Sequence, residues 1–172
     1  AKLDAYGFNY QSLKVIYSYL TNRYQRVRIN SQFSSWSEIV FGAPQGSILG
    51  SLFFNIDIAD LFWFSDSDLA SFADDNTPYA LESDIDSVVK KLEYDSKNLF
   101  EWFEMNMFKS NPGKSHLILS SNDSTKKAMI NGTMIPNETQ AELLGITIDN
   151  ALIFDCHVTN LCKKASNKLH AL

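Results

Sequence analysis

Apolar residues recur at helical spacing early in the chain, where Leu13, Ile16, Tyr17 and Leu20 share one side of a helix predicted over residues 11–22. From residue 24 to 30 the period changes to two, Gln25, Val27 and Ile29 alternating with Arg26, Arg28 and Asn30. That predicts a strand, and a second strand over 36–41 is expected to pair with it across turn residues 30–35. Beyond the Gly42-Ala43-Pro44-Gln45-Gly46 loop, Ser47 is placed to cap a helix running to about Phe64. Its broad apolar side (Ile48, Leu49, Leu52, Phe53, Ile56, Ala59) predicts burial. Residues 69–73 and 77–81 read as a hairpin with Asp74-Asp75-Asn76 at its turn. A long amphipathic helix from Asp84 to about Met105 follows, with Ile85, Val88, Val89, Leu92, Leu99, Trp102 and Phe103 facing inward. The Asn111-Pro112-Gly113 turn leads into a predicted strand over 115–120. Short strands are expected at 129–130 and 143–148, then a closing helix over 155–172 with Lys163, Lys164 and Lys168 on its polar side. The alternation of elements, with no repeat or linker between them, predicts one α+β domain.

Composition narrows the class. A chain of 172 residues, 45% hydrophobic and 20% charged, has the makings of a globular core. The longest apolar stretch, residues 48–64, is broken by Asn55, Asp57 and Asp60, and no basic and apolar leader is present, which predicts no membrane partner and an intracellular, nuclear or cytoplasmic location. Cys156 and Cys162, six apart in a helical pattern, fall on different faces and suit reduced thiols. Charge is divided unevenly along the chain. Residues 1–41 hold five basic and two acidic groups, residues 42–108 three and thirteen, and residues 109–172 seven and five. A net charge of −5 argues against a free-standing nucleic-acid binder. An acidic centre with basic flanks suits a metal-dependent polymerase core, although seven of those acids (Glu82, Asp84, Asp86, Glu93, Asp95, Glu101, Glu104) also read as the solvated face of the long helix.

Adjacent aspartates at a hairpin tip can hold divalent cations, and aspartate is equally a turn residue for backbone reasons. The surrounding order changes the weight of the pair. Gly42-Ala43-Pro44-Gln45-Gly46-Ser47-Ile48-Leu49-Gly50 resembles the PQGS-x-LG segment, motif B, of non-LTR (LINE-type) reverse transcriptases. Phe72-Ala73-Asp74-Asp75 resembles the [FY]-A-D-D box, motif C, and Asn111-Pro112-Gly113-Lys114 is similar to the N-x-x-K of motif D. Leu143-Leu144-Gly145-Ile146 is similar to the LG segment of the primer grip, motif E, and residues 161–169 resemble the start of the thumb. Four motifs in family order span essentially the whole chain. Ser51, Ala43 and Asp57 depart from the family's usual proline, valine and apolar residue, the mark of a diverged or decaying copy.

The resemblance implies an α+β polymerase palm, an antiparallel sheet packed on two long helices, with incomplete fingers. Residues 1–150 correspond to partial fingers and palm, and 151–172 to a thumb helix stub. It implies an RNA-directed DNA polymerase acting on an RNA template, a DNA primer and deoxynucleoside triphosphates through two Mg2+ ions. Asp74 is the implied direct metal ligand, with Asp75 assisting. Pro44, Gln45, Gly46 and Ser47 form the nucleotide and template loop; the same residues also make a good turn before a helix. Lys114 is the implied partner of the pyrophosphate leaving group, or a solvated loop lysine. Leu144, Gly145 and Ile146 form the primer grip, where glycine admits the primer backbone or marks a bulge. Arg23, Arg26 and Arg28 are candidate template-phosphate contacts or a solvated hairpin face. Oligomeric state is left open.

Two other classes compete. A phosphoacceptor signalling domain needs a further aspartate at the end of a later parallel strand, then a hydroxyl residue and a lysine, and none follows in that arrangement. A noncatalytic remnant that binds RNA or protein is the other. In the family's order the third carboxylate, on motif A, precedes the helix that holds Ala1, and Asp57 and Asp60 lie in the wrong place to replace it. Without it, two cations are not fixed at their usual ~4 Å separation. The sequence therefore predicts that purified 1–172 extends no primer with magnesium or manganese. Extension that Asp74→Ala abolishes would contradict this.

Overall fold

A computed structural model describes every residue except Ala1, Ala43, Gln45, Asn122, Ser124, Ala171 and Leu172. The template-loop glutamine, Gln45, and the Ala43 departure therefore lie outside the described residues. The chain divides into two compact units, Ala1–Asp60 and Leu61–Leu172, where the sequence reads as one domain.

In the first unit, α1 (Lys2–Ala5) precedes α2 (Tyr10–Leu20), which Asn9 caps by accepting a hydrogen bond from the Ser12 N–H at 2.9 Å. The predicted strand pair is present as a broken ribbon. β1 (Tyr24–Gln25) pairs antiparallel with β4 (Ser37–Glu38), and inside it β2 (Arg28–Ile29) pairs with β3 (Gln32–Phe33), so the expected turn contains a second short ladder. Ser34 joins the two by bonding Val27 through both its N–H and its hydroxyl. α3 (Ile48–Ile58) starts at the predicted cap, with Ser47 Oγ accepting from the Gly50 N–H at 3.0 Å. Its predicted burial holds only in part: Phe53, Ile56 and Ala59 are half-buried, whereas Ile48 is 93% exposed and Leu49 and Leu52 are also open. α3 packs on α1 and, through Phe53, on Tyr19 of α2 at 6.0 Å between ring centres. The helix then tightens into a 3-10 stretch, Ala59–Phe64.

The second unit is built on α4 (Ile85–Met105). Asp84 caps it, its carboxylate accepting from the N–H and hydroxyl of Ser87 at 2.9 and 2.7 Å. These bonds hold the Asp84 carboxyl below the ordinary aspartate range. Val89, Leu92, Leu99 and Trp102 are buried on its predicted inner face. Val89 and Leu92 form the core with Leu117, Leu119, Ala128 and Ile135, and Ala80, Ile85, Val88 and Ile130 pack around it. The helix ends where Met107 turns left-handed (φ 59°) and the Phe108 N–H reaches the Phe103 carbonyl at 2.8 Å. That turn stacks Phe108 on Trp102 at 5.4 Å.

The strands of this unit pair two by two: β5 (Asp68–Phe72) with β6 (Asp75–Tyr79), β7 (Lys127–Ile130) with β8 (Thr133–Pro136), and β9 (Gln140–Leu143) with β10 (Ile146–Asp149). Among the described residues the strands do not join into the larger antiparallel sheet that was expected. Residues 115–120 make no strand either. Leu117 forms a single parallel bridge to Asn137, whose side chain also takes the Leu119 N–H, so a side chain fills the place of a partner strand. β7 is tied to α4 by a Lys126–Asp86 ion pair and by the Met129 N–H donating to Glu93. α5 (Asp155–His170) closes the chain and lies along β10, with the Thr147 N–H directed at His157 Nδ1 at 3.3 Å. The α+β class holds. No helix among the described residues is long and apolar enough to cross a membrane.

Trp102 is 1% exposed and anchors the end of α4 against Phe103 and Phe108. Trp102→Ala is expected to cost about 3–5 kcal/mol in denaturant unfolding. Trp63, 87% exposed, should change stability by less than ~0.5 kcal/mol on the same substitution.

Candidate functional site

The hairpin β5–β6 is closed by the two-residue turn Ala73-Asp74, with Phe72 facing Asp75 across its last rung. Asp74 therefore sits in the turn itself and Asp75 on the first position of the return strand, both exposed. A closing pair is hydrogen-bonded, so bonded and non-bonded rungs alternate down the ladder. Pro78 stands opposite Leu69 on a non-bonded rung, where a missing N–H costs nothing. Ser71 and Asn76 share the other such rung, and the Ser71 hydroxyl donates to Asn76 Oδ1 at 2.8 Å. Asn76 in turn donates its amide N–H to the Asp74 carbonyl at 3.1 Å. One side chain thus braces the strand pair and the tip together. Ala73 has φ 52°, a left-handed conformation that costs an L residue about 1–2 kcal/mol and that glycine or asparagine normally fills.

Neither Asp74 nor Asp75 has a hydrogen-bond or ion-pair partner for its carboxylate among the described residues. Most other acids of the central segment are engaged. Asp57 and Asp60 both face Lys2, at 3.5 and 2.9 Å, which removes them further from any metal role. Glu82 pairs with Lys91, Glu101 with Lys97 and Asp86 with Lys126. Asp95 is the exception to the solvated-face reading of the long helix. It is completely buried, its Oδ1 accepting from the Asp66 N–H at 2.8 Å and its Oδ2 from the Ser67 hydroxyl.

The tip supplies hard oxygen donors only, the set that Mg2+ takes when it is held by one or two carboxylates plus waters and substrate phosphates. Among the described residues no three His, Cys, Asp or Glu side chains form a closed metal cage. The pair thus fits a cation that arrives with a phosphate ligand better than one locked in by protein alone.

The other predicted site residues have local reasons for their places. In the Pro44–Ser47 loop, Pro44 is buried and its carbonyl accepts from both the N–H (3.3 Å) and the hydroxyl (2.8 Å) of Ser47. A Cβ on Gly50 would meet that carbonyl at 2.4 Å, so the loop can fold onto the first turn of α3 only because position 50 is glycine. Gly46, with φ 77°, makes the turn into the cap. Lys114 ends a 3-10 turn, Pro112–Lys114, and is exposed, its N–H bonded to the Asn111 carbonyl. No hydrogen bond or ion pair joins Lys114 to Asp74 or Asp75 among the described residues.

Leu144 and Gly145 do not lie within a strand. With φ 50° and 82° they form the turn of the β9–β10 hairpin, and Ile146 opens the return strand. Glycine is needed there for the left-handed backbone rather than for a bulge. A polar recess of about 200 Å³ lies beside this turn, lined by Glu142, Gly145, His157, Lys163, Lys164 and Asn167. In the first unit, Arg26 stacks on Phe33 and Trp36, 3.9 and 4.6 Å from their ring centres. The sequence reading missed Ser71, Asn76 and Asp95. The acid count showed Asp95, but helical periodicity alone set it among solvated neighbours.

Three curated proteins of Drosophila melanogaster match the chain. It is 26% identical to the probable RNA-directed DNA polymerase from transposon BS over 170 residues, 92% of this chain and 19% of that protein. It is 27% identical to the RNA-directed DNA polymerase from mobile element jockey, over 86% of this chain and 17% of that protein. It is 28% identical to the probable RNA-directed DNA polymerase from transposon X-element, over 84% and 17%. The chain thus spans less than a fifth of the length of the curated relatives it matches. No protein-family model matches it, and no solved structure does.

Proposed function

We propose that the chain is part of a reverse transcriptase of the non-LTR retrotransposon type, as its similarity to three transposon polymerases supports, and that its chemistry centres on the Asp74 hairpin, within a polymerase that extends a DNA primer on an RNA template. The observation that carries this reading is the tip itself: two adjacent carboxylates without partners among the described residues, in a segment whose other acids are mostly engaged. Asp74 and Asp75 would hold a divalent cation together with a deoxynucleoside triphosphate, and that cation would supply the charge that lowers the pKa of the primer 3′ hydroxyl and offsets the phosphates. Asp74, in the turn, is the principal ligand, and Asp75, on the strand, assists. Ser71 and Asn76 hold the turn in place.

The remaining roles follow the motif order. Residues 1–150 are partial fingers and palm, and residues 151–172 begin the thumb. Pro44, Gln45, Gly46 and Ser47 form the loop toward nucleotide or template, and the absence of a side chain at Gly50 lets the Pro44 carbonyl lie close to the first turn of α3. Lys114, exposed and without an acidic partner among the described residues, is available to the departing pyrophosphate. The turn of Leu144, Gly145 and Ile146 serves as primer grip, and its recess with Lys163 and Lys164 suits a backbone phosphate.

The test is an NMR titration of the chain with Mn2+ and a deoxynucleoside triphosphate. Paramagnetic broadening is expected first at the amides of residues 73–76, and Asp74→Asn should abolish it while leaving the spectrum elsewhere unchanged. Broadening centred on the acidic face of α4, or unaltered by Asp74→Asn, would overturn the assignment.

A further inference from the structure

We infer that Asp95 is the positioning residue that sets which side chain reaches the hairpin tip, an inference that rests on the metal role proposed for Asp74. Asp95 projects from the middle of α4 and is fully buried, yet among the described residues it faces no lysine, arginine or histidine. Its two oxygens instead take the Asp66 N–H at 2.8 Å and the hydroxyl of Ser67, itself only 8% exposed. A buried carboxylate without a counter-cation is a poor means of gaining stability, since its desolvation offsets much of what two hydrogen bonds return. What such a group does well is specify register.

The place it holds is the entry to β5. Asp66 and Ser67 immediately precede Asp68, the first residue of the strand, which pairs with Tyr79 on the first rung. From there the ladder counts five rungs to Phe72–Asp75, and the turn falls on Ala73 and Asp74. A slip of one residue puts a different side chain in the turn and sends every other one to the opposite face. In most two-residue hairpins glycine or asparagine in the turn prevents that slip. Here the left-handed position is held by Ala73, which disfavours it. The turn therefore does not choose its own register, and the choice is made at the far end of the strand, where α4 grips it through Asp95. The Ser71–Asn76 bond then reinforces the register so chosen.

The latch depends on hydrogen-bond geometry and not on charge. Asparagine at 95 keeps an acceptor for the Asp66 N–H and offers its amide N–H to the Ser67 oxygen, because a hydroxyl can accept as well as donate. Leucine fills the site but provides neither bond. The experiment is amide hydrogen exchange, without metal, on the 172-residue chain and on Asp95→Leu, Asp95→Asn and Ser67→Ala. Asp95→Leu and Ser67→Ala should speed exchange at Ala70, Phe72 and Thr77 by about tenfold or more, with the β7–β8 hairpin unchanged. Asp95→Asn should remain close to the parent. A rise shared by all strands of the second unit would show that Asp95 serves general stability and overturn the inference. So would unchanged exchange in both Asp95→Leu and Ser67→Ala, or an Asp95→Asn protein as loose as Asp95→Leu. Because no cation is added, a chain that failed the Mn2+ titration would remove the metal role and leave the exchange result to decide the latch separately.

Discussion

The exposed aspartate pair depends on a two-residue turn that its own sequence does not favour. Phe72 and Asp75 face each other across the last rung of β5–β6, and the residue that must turn left-handed between them is alanine. Strain of this kind persists where the surroundings over-determine it, and it collects at functional sites. Here the surroundings are identifiable. Asn76 holds the Asp74 carbonyl and is itself held by Ser71. At the other end of the strand Asp95 takes the backbone of Asp66 and the hydroxyl of Ser67. The helix that carries Asp95 is fixed by the core of Val89, Leu92, Leu117, Leu119, Ala128 and Ile135. A chain of contacts thus runs from the hydrophobic core to the exposed carboxylate.

The same contacts give the acidic middle of the chain a meaning that its charge count does not. Thirteen acids against three bases over residues 42–108 read as one diffuse negative region. In the structure they are largely sorted into tasks. Some pair with lysines, Asp84 caps α4, Glu93 takes a strand N–H, and Asp95 is buried as a latch. Asp74 and Asp75 stand apart as neighbours in sequence, both exposed, at the end of a braced hairpin. Mg2+ seldom needs a full protein cage, since waters and phosphate oxygens complete its shell. Two carboxylates on a held tip would supply the protein's share of the site proposed at Asp74.

Much of this was legible in the sequence, and the exceptions have physical causes. The period of 3.6 identified α4 and its buried face, Ser47 was recognisable as a cap, and the aspartate pair announced a turn. These are local signals, carried by residues close in sequence. Asp95 was read as solvated because helical spacing says nothing of the two donors that arrive from residues 66 and 67. The exposure of α3 and the absence of a strand at 115–120 likewise depend on which partners are present, which no local pattern encodes. Leu144 and Gly145 were placed inside a strand because a continuous apolar run hides a two-residue turn when β-strands continue on both sides.

Diffraction from crystals of the chain grown with Mn2+ and a deoxynucleoside triphosphate, collected for anomalous scattering, bears most directly on the role given to Asp74. An anomalous peak is expected within about 2.0–2.3 Å of an Asp74 carboxylate oxygen, with triphosphate oxygens completing its coordination. A bound nucleotide whose manganese lies on other carboxylates, with Asp74 facing open solvent, would contradict it.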